Sequence, residues 1–163
     1  MRILEMFQRR RARTAFGQYL SPEVIRRLLL NPELVAPQVV HYQYVVVLAD
    51  DSNPPEIQPM MSKITEIFFQ HHATISLVSP SLFIALLGVP FNDRNSPEAR
   101  RALVNALLQE HGNRIRIAHG EADSPVGNLG SPLRYCYGAV IPGFSGILKT
   151  LLEANLGTAV EIS

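Results

Sequence analysis

The chain has 163 residues, a formal net charge of +1, an apolar fraction of 47% and a charged fraction of 18%. That length suits one domain, or one domain with an arm, and allows a self-sufficient core. The near-zero charge argues against a nucleic-acid surface or a strongly acidic partner. The single cysteine, Cys136, excludes an internal disulfide framework and fits a reducing cytosol. No apolar run approaches the ~20 residues that a membrane-spanning helix needs.

The start, MRILEMFQRRRAR, places its charges after a short apolar stretch, the reverse of a secretory signal. Residues 1–19 read as an exposed or paired helix with sparse apolar positions (Ile3, Leu4, Phe7, Phe16). Arg9, Arg10, Arg11 and Arg13 are expected on a solvated helix face, with a membrane-proximal basic flank as the rival reading. Ser21-Pro22-Glu23 opens a second helix, with an N-cap oxygen and a proline pre-set at the first helical position. It runs through Leu30 and stops before Pro32, and residues 31–41 read as a linker. Residues 1–40 therefore form a helical arm and linker, and 41–163 the main domain.

Tyr42–Ala49 is continuous and β-branched, the pattern of a buried central strand. Asp50-Asp51-Ser52-Asn53-Pro54-Pro55 breaks it. Ile57, Met60, Met61, Ile64, Ile67 and Phe68 then recur at helical spacing over 56–72. Ala73–Val78 and Leu82–Leu87 read as a hairpin around Ser79-Pro80-Ser81. Ser96-Pro97-Glu98 opens a helix that runs to about Glu110 and ends at Gly112-Asn113. Arg114–His119 alternates as a strand does. A glycine-rich stretch over 120–132 leads to a strand over Tyr135–Ile141. A last helix over Ser145–Asn155 ends at Gly157, and Thr158–Ile162 closes the chain as a strand. The order β-α-β-β-α-β with a further β-α-β predicts an α+β, ferredoxin-like split βαβ fold, extended.

His71 and His72 fall at a helix end, where partnership with the helix dipole is expected rather than a metal site. His119, Glu121 and Asp123 lack an ordered metal spacing. Gly127-Asn128-Leu129-Gly130 matches neither a Walker motif nor a dinucleotide fingerprint. Cys136 in an apolar strand reads as a core residue.

Several segments in order resemble the class III adenylate/guanylate cyclases. Phe16–Val24 (FGQYLSPEV) is similar to the "FGRYLSPEVV" element that precedes many bacterial members. Val46–Asp50 (VVLAD) is similar to their "VLFAD" strand, and Ala85–Pro90 to "AVFGAP". Gly127–Arg134 (GNLGSPLR) resembles "GNIGSPQR", and Gly157–Ser163 the strand after the last conserved helix. The resemblance implies a ferredoxin-like βαββαβ core of the cyclase type, shortened between Asp50 and His71-His72, where the family has an extra helix.

It also implies where the chemistry would sit. Cyclisation of a nucleoside triphosphate uses two metal ions, which the family holds with two aspartates on adjacent strand ends. The first position is Asp50, and its rival reading is a turn-capping residue. The second is Ser81, whose neutral hydroxyl cannot hold a phosphate-bridging magnesium as a carboxylate does. Pro80 replaces the glycine before it. The base-selecting positions are Leu77 and Pro142. The transition-state asparagine falls at Ser145 and the arginine at Lys149, which keeps the charge but not the bidentate fork. Only Asp50 keeps the family residue.

The family's active site forms between two subunits, and here neither half is complete. The resemblance therefore leads to an expectation of a catalytically inactive, homodimeric regulatory module without a cofactor. Residues 1–30 would transmit a signal from an upstream sensor or to a protein partner. Its place would be the cytoplasm, with possible tethering to a membrane in a longer protein. The alternatives are a domain that holds a nucleotide or other ligand in the old cleft, made apolar by Leu77, Pro80, Pro142 and Phe144, and a weakly active cyclase. An RNA-binding ferredoxin-like domain lacks the aromatic–basic strand motif it would need.

Overall fold

Tyr42–Val47 is an unbroken run of six buried residues, and a strand apolar on both faces needs cover on both sides. The computed structural model supplies that cover. It describes residues 36–129 and 137–163, together with 26, 27, 30, 31 and 33, but not the side chains of Leu77 and Val78. The expectations for the arginine cluster, the Phe16–Val24 element, Gly130–Arg134 and Cys136 lie outside the described residues.

The elements in chain order are β1 (Gln38–Ala49), α1 (Pro54–Gln70), β2 (Thr74–Val78), β3 (Leu82–Leu87), α2 (Pro97–His111), β4 (Ile115–Asn128), β5 (Tyr137–Ala139), α3 (Phe144–Glu153) and β6 (Ala159–Glu161). The described strands form one sheet in the order β2–β3–β1–β4–β5, with β6 parallel to β4. β1 is antiparallel to both neighbours, with Val46 opposite Ile84 on one side and Ala118 on the other. This is the split βαβ order expected from the sequence, extended by β5, α3 and β6.

The helices follow from apolar spacing and their start signals. Met60, Ile64, Ile67 and Phe68 put one face of α1 into the core. Ser96 caps α2 by accepting the Ala99 N–H at 3.1 Å, and Pro97 fills the first helical position. Leu103, Val104 and Leu107 of α2 join the α1 residues against Val45, Val47, Ile115 and Ile117 on one sheet face. On the other face, Ile147 and Leu151 of α3 cover Tyr42, Tyr44, Val46, Ile84 and Leu86. Each fully buried aliphatic side chain contributes about 1.5–3 kcal/mol.

Two strands are longer than the sequence suggests. β1 begins at Gln38, inside the segment read as a linker, because Gln38–His41 pair with Asp123–Val126. β4 continues through Asn128, so most of the glycine-rich stretch is strand rather than connection. Gly120 is required there by close packing, since a Cβ at that position would lie 2.7 Å from the Tyr44 hydroxyl. The sheet also curls. Its two outer strands, β2 and β5, approach so closely that a Cβ on Gly138 would lie 2.7 Å from Ser76 Oγ. A register shift between Ile75 and Leu77 marks the bulge that aims Ser76 there.

Candidate functional site

Asp50 follows directly on the end of β1, and Ser81 precedes β3 in the turn of the β2–β3 hairpin. The structure brings these two positions together: the Ala49 N–H donates to the Ser81 carbonyl at 2.7 Å. The hairpin is closed by Ser79, whose N–H donates to the Leu82 carbonyl at 2.9 Å and whose Oγ accepts the Leu82 N–H at 3.0 Å. Pro80 and Ser81 thus form the tip of a tight turn.

Asp50 is engaged locally. Its N–H donates to the Arg114 carbonyl at 2.8 Å, and its Oδ1 accepts the Ser52 N–H at 3.1 Å, the geometry of an Asx turn. The Ser52 hydrogen bonds, with smaller help from the Arg114 and Arg116 guanidinium groups, hold its carboxyl below the usual carboxylate range. Arg114 itself reaches Glu56 of α1 at 2.7 Å. A divalent cation beside Asp50 would find a serine on the neighbouring strand end and two arginines nearby. Among the described residues, no cluster of three or more histidine, cysteine or acidic side chains could hold a metal ion. The two arginines are what sequence reasoning missed. Their alternation along Arg114–Ile117 identifies a strand but not what faces Asp50.

The remaining positions gather elsewhere. Pro142, Ser145 and Lys149 are exposed at the start and along the open face of α3. α3 begins after Gly143, whose left-handed φ of +67° suits glycine. It follows β5, which pairs with the far end of β4 at Val126–Asn128. Asp50 lies beside the opposite end, where Ala49 pairs with Ile115. Leu77 stands on β2 opposite Ile84, and the curl of the sheet brings its neighbour Ser76 against Gly138 of β5. The start of α3 and the expected metal positions therefore sit by opposite ends of β4, and the chain after α3 returns to the Ile115 end, where the Gly157 N–H donates to the Ile115 carbonyl at 2.7 Å.

His71 falls at the C-cap of α1, the helix end expected from the sequence. Burial, then the charge of Arg94, lowers its pKa.

Two polar clusters were not visible in the sequence. On the α2 side, the buried Arg100 donates to Gln43 Oε1 and to Glu161 Oε1, each at 2.5 Å. Near the N-terminal segment, Arg27 pairs with Asp93 and stacks on Phe91, 4.1 Å from the ring centre. Beside this contact lies a cavity of about 260 Å³, lined also by His72, Val89 and Arg94. No described helix is long and apolar enough to cross a membrane.

No family model matches the chain, and no curated protein does. Solved structures do. The chain is similar to a bacterial light-regulated adenylyl cyclase (TM-score 0.63, 12% identity, 92% of this chain and 50% of that one). It is also similar to the adenylyl cyclase CyaB from P. aeruginosa (TM-score 0.59, 12% identity, 76% of this chain and 78% of that one). A third match is the guanylyl cyclase domain of the RhoGC fusion protein from the aquatic fungus Blastocladiella emersonii (TM-score 0.61, 9% identity, 76% of this chain and 80% of that one). The chain has the fold of the class III adenylyl and guanylyl cyclase domains.

Proposed function

We propose that this chain is a catalytically inactive cyclase homology domain, one that dimerises and passes on a signal received through its N-terminal segment. The observation that carries the reading is the state of Asp50. Its carboxylate closes its own turn on Ser52, and the adjacent strand end offers Ser81 in place of a second carboxylate. One carboxylate flanked by arginines is a poor seat for two phosphate-bridging cations. Ser145 lacks the amide and Lys149 keeps the charge without the planar fork, so developing phosphate charge is poorly supported. Losing one such group typically costs about a hundredfold or more in rate, and here several are replaced together. That cyclase domains of this fold occur in a light-regulated enzyme and in a fusion protein supports a module read by a neighbouring element. On this reading the domain works in the cytoplasm, alone or as part of a membrane-bound protein.

The test is an assay of the purified chain with ATP and GTP in magnesium and in manganese, paired with sedimentation equilibrium. No cyclic nucleotide and a dimer are expected. Product formation that disappears in Asp50→Ala would overturn the reading. A second reading, a cleft that holds a nucleotide without metal, draws on the half-buried Phe144 beside the exposed Pro142. Saturable heat on titrating metal-free nucleotides would favour it.

A further inference from the structure

Arg27, N-terminal to β1, meets the domain through both an ion pair and a ring contact. Both terminal nitrogens of its guanidinium reach the Asp93 carboxylate, Nη2 at 3.4 Å. The same group lies 4.1 Å over the Phe91 ring, and Phe91 packs against the α3-side core. Phe91 and Asp93 belong to the 88–95 loop. That loop is closed on itself, because a Cβ at Gly88 (φ +87°) would lie 2.5 Å from Asn95 Cβ. It has little room to deform between its ends.

The far end of the loop enters a hydrogen-bond series that runs from the half-buried Asn95 to the buried Gln43 and Arg100. Asn95 donates to the His41 carbonyl at 2.9 Å and to Asn92 Oδ1 at 2.7 Å. Its own Oδ1 accepts from Gln43 Nε2 at 3.2 Å. Gln43, only 1% exposed, gives a second hydrogen bond to Glu121 at 3.2 Å, and its Oε1 receives Arg100 at 2.5 Å. Arg100, 3% exposed, reaches Glu161 of β6 through its other terminal nitrogen. Both N–H donors and the oxygen of the Gln43 amide are thus engaged. If Asn95 shifts, Gln43 must follow or leave a buried donor unpaired, and Arg100 must follow Gln43.

We infer that Arg27 is an input contact: movement of the segment that carries it is passed through the 88–95 loop and the Asn95–Gln43–Arg100 series to β6, changing how firmly that strand is held on β4. This rests on the regulatory reading given above. β6 is a suitable receiver. It is three residues long and, among the described residues, pairs with Ile117–His119, so the contacts of Arg100 and, at 3.3 Å, Arg101 with Glu161 add to a short backbone ladder. Physical connection alone does not establish coupling, so the test must read both ends.

Hydrogen exchange on the full chain does so. The reporters are the Ile162 N–H, bonded to the His119 carbonyl at 2.8 Å, and the Ile117 N–H, bonded to the Thr158 carbonyl at 2.9 Å. Arg27→Ala and Asp93→Asn should each speed their exchange about three- to tenfold, the size expected when an exposed ion pair and a cation–π contact are lost. The double variant should be no faster than Arg27→Ala, and Arg26→Ala, next to it in sequence, should match the wild type. Because coupling is reciprocal, Glu161→Gln should shift the Arg27 Nε–H resonance. Unchanged β6 exchange in both single variants, with faster exchange in the 88–95 loop alone, would overturn the relay and leave the functional reading intact. Cyclic nucleotide production would overturn that reading and leave the relay result standing.

Discussion

Asp50 Oδ1 accepts the N–H of Ser52 at 3.1 Å, so the one acidic residue at the candidate metal position is already used to turn the chain from β1 into α1. That contact separates position from capacity. The fold delivers a carboxylate to the expected strand end, but the neighbouring strand end delivers Ser81 through its backbone carbonyl.

Restoring the second carboxylate should therefore restore cation binding without restoring turnover. Ser81→Asp places two carboxylates on adjacent strand ends, a donor set that suits a hard divalent ion which keeps several waters. Sub-stoichiometric Mn²⁺ should broaden the amide resonances of Asp50–Ser52 in Ser81→Asp and leave them sharp in the wild type. Arg114 and Arg116 should keep the affinity weak, and Arg116→Ala in the Ser81→Asp background should strengthen it. Equal broadening in the wild type would show that Asp50 holds the ion without help.

Gly120 gives a packing prediction. A Cβ there would meet Tyr44 Oη at 2.7 Å and the Ile162 carbonyl oxygen at 2.9 Å, so Gly120→Ala forces a strand or a ring to move. Such overpacking costs about 1–3 kcal/mol, read as a lower urea midpoint at an unchanged slope. Tyr44→Phe removes the nearest of three obstructing atoms and leaves the ring carbon Cζ at 3.0 Å. The double variant should therefore lose less stability than the sum of the single variants, with part of the cost remaining at Ile162.

Much of this architecture was legible in the residues. The β-branched run before Asp50 fixed β1 as a two-sided central strand, and Ser96-Pro97 marked the start of α2 because capping is local chemistry. The Asp50–Ser81 adjacency came from the resemblance to cyclases, and no periodicity could have supplied it. β4 was cut short because Gly120, Ser124, Pro125 and Gly127 all read as loop residues, whereas cross-strand pairing with Gln38–Gln43 overrides their propensity. Arg100 was invisible for a related reason. A charged residue in an exposed-looking helix is assumed to be solvated, and only the arrival of Gln43 and Glu161 makes its burial tolerable.

Arg100 is accordingly a sensitive position. Arg100→Lys keeps the charge but replaces a fork that reaches two acceptors with a point donor. Either Gln43 loses its Oε1 donor or Glu161 is left with Arg101 alone, at 3.3 Å, and the loss should be about 1–3 kcal/mol in urea unfolding. Glu161 is half-exposed and can be solvated, whereas Gln43 cannot. Glu161→Gln alone should therefore cost less than Arg100→Lys, and the two changes together should cost less than their sum.

Stability should also fall on mild acidification, and the histidines set the direction. His71, His111 and His119 all have lowered pKa values, with burial the leading cause in each; Arg94 adds to it for His71, Arg114 and Lys63 for His111, and Arg100 and Arg101 for His119. In the unfolded chain these groups take up protons near the ordinary histidine value of about 6.5. Below that pH the unfolded state binds more protons than the folded one, so stability present above about pH 6.5 declines as pH falls toward the folded values. Each fully buried histidine can contribute at most about 1.4 kcal/mol per pH unit within that window. His119 and His111, 6% and 7% exposed, should dominate, while partly exposed His71 should contribute less. Urea midpoints measured from pH 7.5 to 5 should show this decline in the wild type and a shallower one in His119→Asn. Glu161 opposes the trend by favouring protonated His119, so Glu161→Gln should steepen it. A midpoint that stays flat or rises over this range would contradict the buried, neutral state assigned to His119.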